Sequence, residues 1–247
     1  GAYPPPGGYP PPQGAYPPPG GYPPPQPGSA DVVLDGVKYG WKKFTENVGP
    51  FLIGGVVLFV GFAIIAAIIY GIAFAGAIAA GDTNVGGLIW GFGSFVPVVV
   101  LTVLVVFIQA AFLNVSLKVA AGQQVEFGDF LKFPNAGKAI GTAVLVGIAT
   151  GIGYALLWLP GVAVAIFTVF AIAIALDRGV GPVDAIKGSI EIVKANFVTA
   201  LLLVIAVYIV TSIGAALCGV GIIAAAPIAY LTVVFVYRKL QNQQVAA

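Results

Sequence analysis

The sequence predicts an all-α membrane protein in which six transmembrane helices form three hairpins, each preceded by an amphipathic interfacial helix. Of its 247 residues, 59% are hydrophobic and only 8% are charged, whereas soluble domains carry about 25% charge. Lipid must therefore be the solvent for most of the chain. Four runs without any charged residue are longer than the roughly 20 residues that one crossing needs. They cover residues 48–81, 83–117, 139–176 and 195–237.

The first element is a Pro-, Gly- and Tyr-rich stretch in which the unit GAYPPPGGYPPPQ occurs twice. Proline fixes φ and removes backbone donors, and no apolar face exists to offset the entropy of ordering. We predict a disordered tail over residues 1–30, with polyproline II character. We favour a solvated tether over a ligand for a proline-binding module, because no basic residue precedes Lys38.

Three amphipathic segments open with Asp-x-x-Lys, at residues 35–38, 129–132 and 184–187. In the first and third, large apolar residues recur at the same helical spacing, and an asparagine falls at the same offset. These residues are Val37, Trp41, Phe44, Asn47 and Val48, matched by Ile186, Ile190, Val193, Asn196 and Phe197. The middle segment contains Pro134, so we predict a short helix, a break and then entry into the bilayer.

This periodicity divides a membrane domain of residues 31–240 into repeats of about 31–120, 125–177 and 181–240, followed by a short C-terminal tail, residues 241–247. Chance similarity between amphipathic helices is the alternative explanation.

The first hairpin is predicted to cross the membrane at about residues 50–75 and again at about 95–117. A Gly-rich loop joins the two crossings, with Trp90 and Phe92 as anchors at the membrane interface.

The second and third hairpins are predicted to turn tightly, at Pro160 and Gly161 and at residues 218–221. In the third crossing, Gly137-x-x-x-Gly141 and Gly147-x-x-x-Gly151 are spaced for close helix packing, although such pairs often arise by chance in Gly-rich sequences.

The distribution of basic residues predicts the orientation. All 11 lie before the first crossing, between the second and third, between the fourth and fifth, or after the sixth. The positive-inside rule then places the N- and C-termini in the cytoplasm, in a multi-pass protein of the plasma membrane.

Polar candidates for a site are few. The predicted crossings contain no Asp, Glu, Lys or Arg, which argues against ion-coupled transport. Gln109 and Asn114 could line a path or bond between helices, and we favour the bonding role. Lys38, Lys132 and Lys187 are candidate lipid-headgroup contacts. The alternative, which we favour, is that each Asp starts a helix and each Lys extends towards the headgroups.

Enzymatic activity is not expected. The sequence has no His and one Cys, so the commonest general base and metal ligand are missing. We predict no catalytic, cofactor or metal site, and Cys218 is interpreted as a packing residue. The net charge of +2 does not suggest nucleic acid. Membrane lipids and protein partners are expected, and the sequence does not specify an oligomeric state.

The phrase ALDRGVGPVDAIKGSIEIVKANF resembles a signature of bacterial six-helix membrane proteins, with matches at Ala185, Lys187, Ser189, Lys194 and Asn196. That group includes the membrane domain of some glycerophosphodiester phosphodiesterases and related families of unknown function. With its tail, the chain is similar to proline- and glycine-rich integral membrane proteins of actinobacteria. The resemblance implies an all-α membrane domain. No soluble phosphodiesterase domain is found in the sequence, so that activity is not expected.

Two functions remain open at this point. The first is a non-enzymatic scaffold or accessory subunit in envelope or membrane-complex organisation, whose tail recruits cytoplasmic partners. The alternative is a carrier or channel for a small or lipid-like substrate. A dry bundle with lipid-facing grooves would favour the first function, and a continuous polar lining would favour the second.

Overall fold

The computed structural model describes residues 28–79, 95–217 and 221–247, and within these ranges the chain is helical with no strand. Most of the predicted tail, the anchors Trp90 and Phe92, and Cys218 lie outside the described residues. The α-helices are α1 Ser29–Glu46, α2 Val48–Ala79, α3 Phe95–Ala120, α4 Ala136–Leu156, α5 Trp158–Phe167, α6 Ala171–Arg178, α7 Pro182–Ala195, α8 Phe197–Ala216 and α9 Ile222–Leu240. A 3-10 helix, Phe127–Phe130, lies between α3 and α4.

Six spans in the described chain are long and apolar enough to cross a membrane, as predicted. They are α2, α3, α4, the α5–α6 pair, α8 and α9. The first is longer than the sequence analysis proposed: α2 has 32 residues, or about 48 Å at 1.5 Å per residue. Since the hydrocarbon layer is about 30 Å thick, α2 must tilt or extend beyond it.

The amphipathic segments fold as helices α1 and α7, and the middle one folds as only a 3-10 turn. Phe127–Phe130 is followed by a break at Pro134, and α4 begins at Ala136. This confirms the predicted short helix and break, although the 3-10 helix ends at Phe130, four residues before Pro134.

The two junctions between an amphipathic helix and a membrane helix have the same geometry. Asn47 has φ −124° and ψ 32°, and Asn196 has φ −137° and ψ 43°. Each side-chain amide donates to the carbonyl four residues earlier, from Asn47 to Lys43 at 2.9 Å and from Asn196 to Ile192 at 3.1 Å. The offset read from the sequence therefore corresponds to one local structure that ends one helix and starts the next.

Helices α1 and α7 pack against the rest of the protein through a face adjacent to the apolar face that the sequence predicted. Phe44 and Val193 are buried as expected, but Trp41 is 60% exposed. Apart from Val33 and Lys43 on α1, the other buried positions carry small residues, which allow backbones to approach closely. In matching register, the two buried faces are Gly36, Gly40 and Phe44 on α1, and Ala185, Ser189 and Val193 on α7.

A close contact between α1 and α9 explains this choice of face. A Cβ added at Gly40 would lie 2.6 Å from the carbonyl oxygen of Ile228 and 2.9 Å from Oγ1 of Thr232. The Thr232 hydroxyl lies 2.7 Å from the carbonyl of Ile228 and 3.3 Å from the carbonyl of Gly36, and it can donate to either. The important Gly-x-x-x-Gly pair is therefore Gly36 and Gly40. On α4, no atom lies within 4 Å of a Cβ added at Gly137, Gly147 or Gly151, whereas one added at Gly141 would lie 3.2 Å from the Pro182 ring.

The 3-10 helix and α7 each pack on the hairpin that precedes them in the chain, and α1 packs on the last hairpin. Helix α1 contacts α9 and α8, the 3-10 helix contacts α3 and α2, and α7 contacts α6 and α4. By contrast, α1 makes few contacts with α2, which directly follows it. The three hairpins are thus linked in a cyclic order through the short elements between them.

The α4–α5 turn lies earlier than predicted. Helix α4 ends at Leu156 and α5 begins at Trp158, so Pro160 and Gly161 belong to the first turn of α5 rather than to the connection. Proline is tolerated there because the first amides of a helix have no intrahelical acceptor.

Candidate functional site

One end of the bundle, here called the charged end, gathers charged residues from different hairpins. Lys118 at the end of α3 pairs with Asp129 at 2.5 Å. Arg178 contacts the side chain of Gln241, and Lys138 contacts the carbonyl of Gly179. These contacts bring basic residues from three separate segments to one end, and the side of the membrane on which that end lies stays a prediction.

At the charged end, Arg238 in the last turn of α9 bonds to the last turn of α3. Its guanidinium donates to the carbonyls of Ala120 at 3.3 Å and Leu117 at 3.4 Å. The backbone N–H of Ala246 also donates to Ala120, at 3.0 Å. A cation and an amide at a helix C-terminus satisfy unpaired carbonyls and complement the helix dipole. The segment predicted as a short tail, residues 241–247, thus packs against α3.

Asp129 stabilises the 3-10 turn rather than pairing with Lys132. Its carboxylate accepts from Lys118 and, at 3.0 Å, from the backbone N–H of Glu126. Burial favours the neutral acid, but the hydrogen bonds from Lys118 and Glu126 and the charge of Lys118 outweigh it and lower the pKa of Asp129.

The three lysines proposed as headgroup contacts are exposed and lie on separate elements. Lys38 is on α1, Lys132 follows the 3-10 helix, and Lys187 is on α7. Lys38 also lies 3.6 Å from Asp35, three residues earlier in α1, with both side chains more than half exposed. Such exposed pairs contribute little, so Lys38 remains available to another anion.

Lys43 is the buried cation of α1. It donates to Glu46 at 2.8 Å and to the backbone carbonyl of Ala247, and it lies 6.0 Å from the ring centre of Tyr39. The hydrogen bond from Lys43 lowers the pKa of Glu46. Burial raises the pKa of Tyr39 to about 12, although the charge of Arg238 partly opposes it. These residues tie α1 to the C-terminal segment.

Asn114 bonds within the protein. Its side chain is buried, and its amide donates to the backbone carbonyl of Asp129 at 3.1 Å. It therefore holds the 3-10 turn against α3, which matches the bonding role favoured for it.

Gln109 lies on the wall of a groove of about 350 Å³, the first groove, where α2, α3, α8 and α9 meet. Its other walls are mainly aliphatic and aromatic, with Thr211 and Tyr230 as further polar residues. The Thr211 hydroxyl bonds to Val207 of its own helix at 2.8 Å. Gln109 borders a groove, whereas Asn114 bonds to the 3-10 turn, so the two side chains do not form one polar path.

A larger groove of about 610 Å³, the second groove, lies between α1, α8 and α9. Val37, Lys38 and Trp41 form its α1 side, and Val210, Ile213 and Leu217 form the opposite wall. Its floor consists of small residues, among them Gly214 and Ala225. Val37 and Trp41, which were expected to face the interface, therefore border this groove.

The polar residue that sequence reasoning missed is Ser189 of α7. Helices α5 and α6 are separated by a turn at residues 168–170, and the Ser189 side chain enters that break. Its hydroxyl donates to the carbonyl of Phe167 at 2.9 Å and accepts from the N–H of Phe170 at 3.2 Å. Ser189 had been noted only as part of the family signature, and no local pattern indicates a helix break near Thr168.

Comparison with known proteins gives relatives in mycobacteria. The chain is 32% identical over 230 residues to the uncharacterized protein Rv2560 of Mycobacterium tuberculosis, covering 86% of this chain and 70% of that protein. The chain belongs to the Rv2560 family. The uncharacterized protein Mb2590 of Mycobacterium bovis matches with the same identity and coverage. No protein-family profile matches, and no solved structure matches.

Membership of the Rv2560 family supports the actinobacterial part of the resemblance. The relatives are mycobacterial, and the chain has six spans able to cross a membrane. We therefore describe this member of the Rv2560 family as a multi-pass helical membrane protein. No link between the Rv2560 family and glycerophosphodiester phosphodiesterases is shown by these relatives.

Proposed function

We propose that the protein is a non-enzymatic scaffold or accessory subunit of membrane complexes, with its bundle held in lipid and its N-terminal tail recruiting partners. The main support is the use of polar groups in the described bundle. Asn114, Ser189 and Thr232 bond to backbone within the protein. Both grooves have predominantly apolar walls. This arrangement suits a protein that assembles in lipid better than one that conducts ions.

The orientation belongs to the same proposal. Contacts at the charged end involve basic residues in the last turns of α3, α6 and α9. The positive-inside rule would place that end in the cytoplasm, with both termini on the same side, in the plasma membrane. The relation to the membrane domain of glycerophosphodiester phosphodiesterases also remains a proposal, based on Ser189 and its signature neighbours.

A carrier for a lipid-like substrate is the second candidate. Gln109, Thr211 and Tyr230 give the first groove a few polar groups within apolar walls, which suits an amphiphile better than a hydrated ion. This alternative requires the groove to change between two arrangements.

Crosslinking and mild-detergent purification from native membranes would test the scaffold. The full chain is compared with a variant that lacks residues 1–27. Partners that disappear with the tail support recruitment through it, and partners that persist assign the interaction to the membrane domain. If neither form retains a specific partner, the scaffold proposal is wrong. Uptake of a fluorescent lipid by liposomes containing the protein would then test the carrier.

A further inference from the structure

The second groove has the chemistry of a binding site for one phospholipid. Its walls are apolar, and Lys38 and Trp41 stand on its α1 side. Lysine and tryptophan are the residues that membrane proteins place at the boundary between headgroups and acyl chains. We propose that this groove binds an anionic glycerophospholipid, with the headgroup at Lys38 and an acyl chain along α8 and α9. The proposal goes beyond the scaffold function and does not depend on it.

The shape of the groove follows from its small floor residues. A Cβ added at Gly214 would lie 2.5 Å from Cβ of Ala225, so the two helices meet there almost backbone to backbone. Larger side chains, Ile213 and Leu217, stand beside this floor and are 61% and 64% exposed. The wall from Val210 to Leu217 extends about 10 Å along the helix at 1.5 Å per residue, about a third of the hydrocarbon thickness. This length suits part of an acyl chain.

Charge decides which headgroup the groove would take. Lys38 is the charged residue that lines it. Asp35 contacts Lys38 at 3.6 Å, but that exposed pair is weak. A phosphate or phosphoglycerol group close to Lys38 gains more than a zwitterionic choline headgroup, whose own cation opposes the lysine. The occupant is therefore expected to carry a net negative charge.

The test uses the full chain in mild detergent, with native mass spectrometry to count bound phosphatidylglycerol and phosphatidylcholine of identical acyl chains. Ile213→Trp fills the groove from an exposed position and should remove the bound phosphatidylglycerol. Ile209→Trp is the matched control, because Ile209 is 51% exposed on the same helix and does not line the groove. Circular dichroism verifies that both variants fold.

Lys38→Gln tests the headgroup separately. Loss of one basic contact should lower the preference for phosphatidylglycerol over phosphatidylcholine about fivefold. Lys42→Gln is its control, since the Lys42 side chain is 60% exposed on the same helix and does not line the groove. Lys42→Gln should leave the preference unchanged.

Each other result would overturn the proposal. If Ile213→Trp keeps as much phosphatidylglycerol as the unmodified protein, the groove is not the lipid site. If Lys38→Gln keeps the full preference, the headgroup assignment is wrong. If the unmodified protein is a dimer that Ile213→Trp dissociates, with lipid still bound, a second copy of the chain occupies the groove.

Discussion

Replacing Ser189 by alanine should destabilise the bundle through the break between α5 and α6. The Ser189 side chain is fully buried and holds both the Phe167 carbonyl and the Phe170 amide. An unsatisfied buried group costs about 1–3 kcal/mol. Measured interhelical hydrogen bonds in membrane proteins average about 0.6 kcal/mol and reach about 1.7. Because two backbone groups lose their partner together, we expect Ser189→Ala to lower the free energy of unfolding by about 1–3 kcal/mol.

The measurement is reversible unfolding in mixed micelles, followed by circular dichroism. Ser116→Ala is the matched control: Ser116 is equally buried, but its hydroxyl bonds only to the carbonyl of Phe112, four residues earlier in the same helix. That carbonyl keeps its helical N–H partner, so the change should stay within about 0.5 kcal/mol. Equal effects of the two substitutions would refute the role assigned to Ser189.

Two further predictions concern α1 and the 3-10 turn. Gly40→Ala should cost about 1–3 kcal/mol in the same unfolding assay, because its Cβ meets the backbone of Ile228. Gly49→Ala, where no atom lies within 4 Å, should be neutral or slightly stabilising, and a loss as large as that of Gly40→Ala would count against the contact. The pKa of Asp129 is lowered in the folded protein, so its contribution is present above about pH 4 and is lost as the pH falls through the folded pKa. Thermal unfolding between pH 7 and pH 3 should therefore show a smaller acid-induced loss for Asp129→Asn than for the unmodified protein, and an identical loss would contradict this assignment.

Particular residues show how far sequence reasoning reached. The charge-free runs predicted all six spans, because a charged group in lipid is costly and a run of apolar residues is a local property. Asn47 and Asn196 were matched correctly, since each ends a helix through a bond to a carbonyl four residues earlier. The turn at Leu157 was misplaced by the Pro160–Gly161 signal, which suits the first turn of a helix equally well.

The candidate site was found only in part. Asn114 bonds within the protein, and Lys38 is exposed, so its contact with a lipid headgroup stays a prediction. The grooves bordered by Gln109 and Trp41 were not foreseen, because each combines residues from helices far apart in the chain. Ser189 was visible as part of a motif, but its partners, Phe167 and Phe170, lie about twenty residues away at the break between α5 and α6.

The sequence by itself determined that the chain contains six spans able to cross a membrane, and that Asn47 and Asn196 end its first and third amphipathic segments. Tertiary structure decided which face of α1 is buried and on which hairpin it packs. The physical reason is that lipid chains are as apolar as a helix surface, so hydrophobicity does not distinguish a lipid contact from a protein contact. Close approach at Gly36 and Gly40 makes that choice, and it requires the partner helix α9 to be in place.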